Sequence, residues 1–265
     1  MNNKFFDSKN NRLIFAGEAA TPNYWNKRWA KEDLRAVLKS PDFIVVPTTK
    51  KYLKAGSKIL EGGCGHGTYV YKLTKANYQC IGVDYARKTV EKVKRILPQL
   101  DIRYAQLTKL PFENGTFDGY WSIGVIEHFF KGYSQITREM KRVVKKRGYL
   151  FLTFPYMSPL RILKGKLGSY PGVESAQEPK KFYQFALNKN DVIKEFEREG
   201  FRKVSAKPFD GFRGLLSDAQ ILSFILKPID KLSKTNRIAL GLRFFLGRLA
   251  QPIASHSVLI VFQKK

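Results

Sequence analysis

Three carboxylates stand where short apolar runs break off. Glu61 lies in Lys58-Ile59-Leu60-Glu61-Gly62-Gly63-Cys64-Gly65-His66-Gly67-Thr68, Asp84 ends Gln79-Cys80-Ile81-Gly82-Val83-Asp84, and Glu127, followed by His128, comes after the run Phe117 to Ile123. Glycines at 63, 65 and 67 let the backbone take positive φ and let a ligand approach the main chain. An acid at a strand's carboxyl end beside such a turn repels a pyrophosphate and attracts a cation. Asp84, about twenty residues on, stands where an acid accepts hydrogen bonds from ribose hydroxyls. The ligand implied carries a ribose and an amino-acid-like ammonium group and needs no phosphate. The dinucleotide fingerprint G-x-G-x-x-G is out of register here, because Thr68 stands three residues after Gly65 and Val70 three after Gly67.

These residues need elements to hold them. Lys58 to Gly62 reads as a buried strand, and Thr68 to Ala76 as a helix with Val70 and Leu73 inward, its free N–H groups facing the ligand. After Asp84 the pattern predicts a basic amphipathic helix over Ala86 to Leu97, stopped by Pro98, then strands over Asp101 to Ala105 and Phe117 to Ile123. A helix is expected over Ser134 to Lys146, ended by Gly148, then a strand over Tyr149 to Pro155. Asn188 caps a further helix that Gly200 ends, and strands follow over Phe201 to Lys207 and Ser255 to Phe262. Before all of this, Thr21-Pro22 opens a helix expected to run as far as Pro41, with another over Asp42 to Leu53. Tyr156 to Leu187 looks irregular. It reads as an acceptor-binding lid carrying Tyr156, Tyr170, Phe182, Tyr183 and Phe185 with the bases Arg161, Lys164 and Lys166, against a plain disordered excursion.

Glu61-x-Gly63-x-Gly65-x-Gly67, Asp84, Leu110-Pro111-Phe112, Phe117-Asp118 and the stretch Glu139 to Gly148 resemble the ordered motifs of class I S-adenosylmethionine-dependent methyltransferases. They are most similar to the branch that holds the ubiquinone and menaquinone methyltransferases. The resemblance spans residues 58–155 and, more loosely, reaches 207. It implies an α/β fold with a doubly wound, seven-stranded, mostly parallel sheet, and S-adenosylmethionine as cofactor. It implies Glu61 on the methionine ammonium, Gly62, Gly63, Gly65 and Gly67 at the close backbone approach, and Asp84 on the ribose. Tyr85 would pack beside the adenine, with Gln106 and Leu107 at its edge and Ser122 and Ile123 at the crevice end of their strand. The family usually has an aspartate where this chain has Gln106, whose amide oxygen still accepts but brings no charge. In related enzymes a segment before the first strand folds over the cofactor. Tyr24, Trp25 and Trp29 are therefore lid and acceptor candidates, alongside Tyr156 and Tyr183, against the plainer reading of an apolar face on the core. Two readings of Glu127 and His128 stay open: proton removal from the acceptor, and positioning beside the cofactor. No metal site is expected. The Asn/Asp-Pro-Pro-aromatic signature of exocyclic-amine methylation of bases does not occur.

The organisation expected is an N-terminal helical lid segment over 1–57, a cofactor-binding core over 58–208 and 255–265, and a helical insertion over 209–254, before the last strand. That insertion is apolar at Ile221, Leu222, Phe224, Ile225, Leu226, Ile238, Leu240, Leu242, Phe244, Phe245 and Leu246, and basic at Lys227, Lys231, Lys234, Arg237, Arg243 and Arg248. Helices of that kind, too short to span, fit an interfacial anchor on an anionic bilayer through 219–250, against a helical cap or a dimer interface. A formal charge of +26 favours anionic partners. The expectation is a methyl transfer to a small acceptor, hydrophobic or lipid-linked, at a membrane surface. An RNA methyltransferase and a non-catalytic S-adenosylmethionine-binding protein are the alternatives, nucleic acid being less favoured because a phosphate groove has no use for so many Leu, Ile and Phe. Two cysteines argue against a disulfide framework, and Met1 to Thr21 lacks the apolar run of a leader. A cytoplasmic protein, peripheral on the inner face of the membrane, is expected.

Overall fold

The computed structural model describes residues 4–173, 182–232 and 237–265. In chain order its elements are β1 (Lys4–Asp7), β2 (Arg12–Ala16), α1 (Pro22–Ala30), α2 (Leu34–Lys39), α3 (Val45–Tyr52), β3 (Lys58–Gly62), α4 (Thr68–Lys75), β4 (Gln79–Asp84), α5 (Arg87–Ile96), β5 (Asp101–Tyr104), β6 (Phe117–Ile123), α6 (Ser134–Val143) and β7 (Val144–Pro155). There follow α7 (Pro159–Lys166), β8 (Phe182–Ala186), α8 (Lys189–Arg198), β9 (Phe201–Phe209), α9 (Gly211–Asp218), α10 (Gln220–Lys231), α11 (Arg237–Ala254) and β10 (Ser257–Lys264).

Seven strands among the described residues form one sheet in the order β5-β4-β3-β6-β7-β10-β9. Pairing is parallel from β5 to β7, and β10 runs antiparallel to both its neighbours. The expected doubly wound α/β sheet is therefore the one observed. Its middle strands are covered on both faces, which is why they read as continuous apolar runs. Alternate residues feed opposite cores: Leu60, Tyr120 and Leu152 join one, Ile59, Trp121 and Phe151 the other. Trp121 stacks on Phe151 at 4.6 Å and donates its indole N–H to Thr49 Oγ1 at 2.9 Å, fixing α3 against the sheet. Cys64 and Cys80 are buried and free.

Several sequence expectations are corrected. The first 57 residues are not only helical: β1 and β2 form a hairpin that pairs antiparallel with β8 in a second, three-stranded sheet. The helix expected from Pro22 to Pro41 is two. Thr21 caps α1 as the sequence suggests, but Asp33 Oδ1 captures the amides of Arg35 and Ala36 and starts α2 afresh. The helix expected to reach Lys146 stops at Val143, because Val144 pairs with Phe117 and Lys145 bonds Asp118 at 2.7 Å. Arg147, with φ of +62°, makes the turn assigned to Gly148. The region 156–187 is not irregular throughout. Ser158-Pro159 starts α7 by the same cap-and-proline signal as Thr21-Pro22, and β8 follows; residues 174–181, with Pro179, lie outside the described residues.

The insertion consists of α9, α10 and α11. Glycines let α9 and α11 cross closely: a Cβ on Gly211 would stand 2.2 Å from the Gly247 oxygen, and one on Gly214 closer still to the Ala254 oxygen. Pro228 lies inside α10. Arg243, expected on the basic outer face, instead caps α10 by donating to the carbonyls of Ile229, Asp230 and Leu232. Lys234 and Asn236 lie outside the described residues.

Candidate functional site

A cavity of about 690 Å³ opens at the carboxyl ends of β3, β4, β6 and β7, where ligands of open α/β sheets bind. Its floor is the glycine turn between β3 and α4. Gly63, Gly65 and Gly67 all have positive φ, and no side chain fits on them: a Cβ on Gly63 would meet Val125 at 2.7 Å, one on Gly65 the Trp29 ring at 2.9 Å, and one on Gly67 Ile102 at 2.1 Å. Gly62 is held in the same way by Tyr120, whose hydroxyl oxygen would lie 1.9 Å from its Cβ. Of these glycines Gly63 lines the cavity, and Gly62, Gly65 and Gly67 shape the turn from behind.

Glu61 faces this cavity from the end of β3, paired in register with Gly82 and Trp121. It is buried, and its Oε2 has no partner among the described residues. Burial, then the nearby Asp84 charge, pushes its carboxyl up to about 8. Asp84 Oδ2 accepts from Gly65 N–H and Oδ1 from Ala86 N–H, each at 2.8 Å. Burial pushes this carboxyl up, and those amides work against the rise. Both acids keep lone pairs for a ligand. A buried carboxylate with one oxygen unpartnered, beside a side-chain-free turn, fits a nucleoside that bears an ammonium group, as S-adenosylmethionine does.

Tyr85, Gln106, Leu107 and Ile123 line the same cavity. Tyr85 donates its hydroxyl to the Ala20 carbonyl at 2.5 Å, tying the rim of α1 to β4. Trp25 and Trp29 stack at 5.6 Å and form a wall over the turn, and His66 fastens Trp29 through its carbonyl at 2.8 Å. Tyr183, brought in by β8, also lines the cavity.

Glu127 and His128 sit on a short helical turn after β6, and both line the cavity. Glu127 is buried with Oε2 unpartnered among the described residues, and burial pushes its carboxyl up to about 8. His128 Nδ1 donates to the Tyr183 carbonyl at 2.8 Å. Its ring lies edge-on to Trp25 at 5.2 Å and to Tyr183 at 5.1 Å, and burial pushes it down to about 4.

Several expected residues fall elsewhere. Tyr156 is buried in the main core and does not line the cavity. Tyr24 stands one layer back, edge-on to Trp25 at 5.0 Å and to Tyr183 at 5.6 Å. Ser122 lies beneath the floor, fully buried beside Gly62. Arg161, expected as a basic lid residue, is wholly buried and bonds Asp218 at 2.9 Å. Conversely, the cavity includes His66, Arg213 and His256, which no motif pointed to. Arg213 and His256 arrive through the insertion and the last strand, far from the glycine turn in sequence.

Comparison with known proteins agrees with this fold. Residues 60–152 match the model of a methyltransferase domain family. A protein of Mycolicibacterium smegmatis named as a probable S-adenosylmethionine-dependent methyltransferase is 29% identical over 147 residues, 56% of this chain and 52% of its own length, so the chain spans about half of that relative. A demethylmenaquinone methyltransferase of Bacillus cereus is 27% identical over 212 residues, covering 69% of this chain and 80% of that one. Among solved structures, a SAM-dependent methyltransferase from Archaeoglobus fulgidus superposes with a TM-score of 0.54 at 15% identity, over 91% of this chain and 99% of that one. The fold is that of class I methyltransferases, and residues 60–152 are an S-adenosylmethionine-dependent methyltransferase domain.

Proposed function

We propose that this protein methylates a hydrophobic or lipid-linked small molecule that it meets at an anionic membrane surface. The cofactor supplies a methyl already activated on a sulfonium, so the chain's task is to bind, orient and exclude water. In this reading Glu61 takes the methionine ammonium, the turn at Gly63 gives close backbone approach, and Asp84 takes the ribose. Tyr85, Leu107 and Gln106 flank the adenine. Trp25, Tyr183 and His128 border the acceptor. With a ring that burial keeps neutral, His128 orients the acceptor and does not store its proton.

One observation carries the membrane part. α9 lines the cavity through Arg213, and the helices joined to it turn Phe224 (80% exposed), Phe244 (73%) and Phe245 outward with Leu222, Ile225 and Leu249. Lys227 and Arg248 are exposed on the same helices. Apolar side chains of that size beside cations suit the headgroup boundary of an anionic leaflet. No helix of the described residues is long and apolar enough to cross a membrane. The contact proposed is peripheral, on the cytoplasmic side. The demethylmenaquinone methyltransferase relatives, whose named substrate is a hydrophobic quinone, support the same acceptor class.

Two measurements test this. Protein incubated with methyl-labelled cofactor and a cell extract should place label in the organic-solvent fraction; label in RNA would replace this reading with the nucleic-acid one. Phosphatidylglycerol vesicles should sediment the protein, and the triple variant Phe224→Ser, Phe244→Ser, Phe245→Ser should stay in solution while still binding S-adenosylhomocysteine. Equal sedimentation of the variant would remove the membrane from the proposal.

A further inference from the structure

Helix α1 lies over the cofactor turn with none of its residues buried. Three side chains tie it down. Tyr85 donates to the Ala20 carbonyl ahead of the helix at 2.5 Å, Thr89 donates to Asn26 Oδ1 in its middle at 3.0 Å, and His66 Nε2 meets the Trp29 carbonyl near its end at 2.8 Å. A helix with so little buried apolar surface belongs to the parts of a fold that open most easily. Trp25 and Trp29 line the cavity, so lifting α1 uncovers whatever lies beneath them.

The tie at His66 is half made. A carbonyl only accepts, so the ring proton stands on Nε2 and Nδ1 presents a lone pair. His66 is 2% exposed, and its Nδ1 has no hydrogen-bond partner among the described residues. Facing Nδ1 at 3.7 Å is Glu32 Oε2, on the link between α1 and α2. A lone pair and a carboxylate repel, whereas a proton on Nδ1 turns the same contact into an ion pair. Asp84 at the tip of β4 is close enough for a charge on this ring to act on its carboxyl, and it favours the proton as Glu32 does. Glu61 brings a further carboxyl to the same wall of the cavity. Against the proton stand burial of the ring and Arg28, whose guanidinium lies 5.9 Å over the Trp29 ring.

From this contact we propose that His66 is the positioning residue of the lid, and that a proton on Nδ1, shared with Glu32, holds Trp29 and the end of α1 down on the glycine turn. When α1 lifts, the ring loses Glu32, so the closed lid binds that proton more tightly than the open one. By linkage, a fall in pH favours closure. The inference goes beyond the acceptor and membrane readings and depends on neither.

Release of S-adenosylhomocysteine, followed by stopped-flow tryptophan fluorescence at pH 6 and pH 8, tests it on the full chain. Wild type and Glu32→Ala should release alike at pH 8. At pH 6 the wild type should be slower by about three- to fivefold, the effect of one partly solvated ion pair. Glu32→Gln, whose amide donates to the neutral Nδ1, should be slower than Glu32→Ala at both pH values. His66→Gln keeps a donor for the Trp29 carbonyl and should change with pH no more than Glu32→Ala does. Glu61, Asp84, Glu127 and His128 titrate in every one of these proteins, so the comparison between them cancels their share. Nitrogen-15 spectra of the three histidines, assigned by substitution, should show the His66 proton on Nε2 at pH 8. At pH 6 they should show more of the doubly protonated ring in wild type than in Glu32→Ala. Equal pH dependence in wild type and Glu32→Ala, or a proton on Nδ1 at pH 8, overturns the proposal. If S-adenosylhomocysteine does not bind at all, the methyltransferase reading falls, and the spectra still decide the His66–Glu32 contact.

Discussion

Gly65 donates its amide hydrogen to Asp84 Oδ2 at 2.8 Å, which welds the glycine turn to the tip of the neighbouring strand. Asp84 thus shapes the turn while it lines the cavity. In Asp84→Asn one accepting oxygen becomes an amide that only donates, set against a backbone N–H. Cofactor affinity should fall by about 10- to 100-fold, read by calorimetry, and the melting temperature should drop as well. A variant that binds and melts like the wild type would show the bond to be dispensable.

Glu61 should make cofactor binding a proton-releasing event. Its carboxyl titrates at about 8 in the cofactor-free protein, so at pH 7 it is mostly protonated. An ammonium group beside it favours the carboxylate, and the displaced proton leaves. Affinity should therefore rise with pH up to about 8 and then level. Calorimetry in two buffers of different ionisation enthalpy should count a released proton near pH 7. Glu61→Gln should bind weakly without that release; an unchanged proton count in the variant would assign the proton elsewhere.

Glu127 should make the cofactor-free protein less stable as pH rises. Its folded value, about 8, lies above its ordinary value of 4.5, so burial favours the neutral form. The associated stability is whole below about 4.5 and is lost as pH climbs through about 8, by up to about 1.4 kcal/mol per pH unit. Urea unfolding at pH 5, 6.5 and 8 should show this decline. Glu127→Gln should flatten it in part, with Glu61→Gln removing a further share. Parallel pH profiles for wild type and variant would contradict the burial argument.

Gly67→Ala separates backbone strain from crowding when set beside Gly56→Ala. Both glycines have positive φ, +69° and +82°, so each substitution costs about 1–2 kcal/mol in strain. A Cβ at position 56 has nothing within 4 Å, whereas one at 67 would stand 2.1 Å from Ile102 Cδ1. Gly67→Ala should be the more destabilising by at least about 1 kcal/mol in chemical denaturation. Equal losses would mean that Ile102 moves aside freely.

The buried pair of Arg161 and Asp218 should be strongly coupled. Arg161→Met leaves Asp218 with Lys4 and the Ser217 hydroxyl and should destabilise by about 3–5 kcal/mol. Adding Asp218→Asn removes the charge that has lost its Arg161 partner. The double variant should then be more stable than the sum of the two single losses, and strict additivity in a double-mutant cycle would disprove the coupling.

Local chemistry made much of this protein readable without coordinates. The run ending in Glu61, the alternate glycines and Asp84 lie within one strand-turn-helix-strand unit, where φ requirements and short-range order are written in neighbouring residues. Apolar periodicity likewise marked most of the central strands, and the caps at Thr21 and Asn188 act as their residue types suggest. The breaks the sequence did not announce came from competition: the Asp33 side chain outbid helix continuation, and Val144 left its helix for the sheet.

What tertiary structure alone decided is which side chains meet across the cavity from the glycine turn. His128, Tyr183, Arg213 and His256 come from four separate stretches that meet through the β8 hairpin sheet and the insertion. Their tautomers and burial depend on partners 55 and 95 residues away in sequence. No spacing rule encodes such contacts, because they are set by how helices and sheets pack and not by the order of residues along either one. For the same reason Tyr156 and Arg161, which look like lid residues in the sequence, are core residues in the fold.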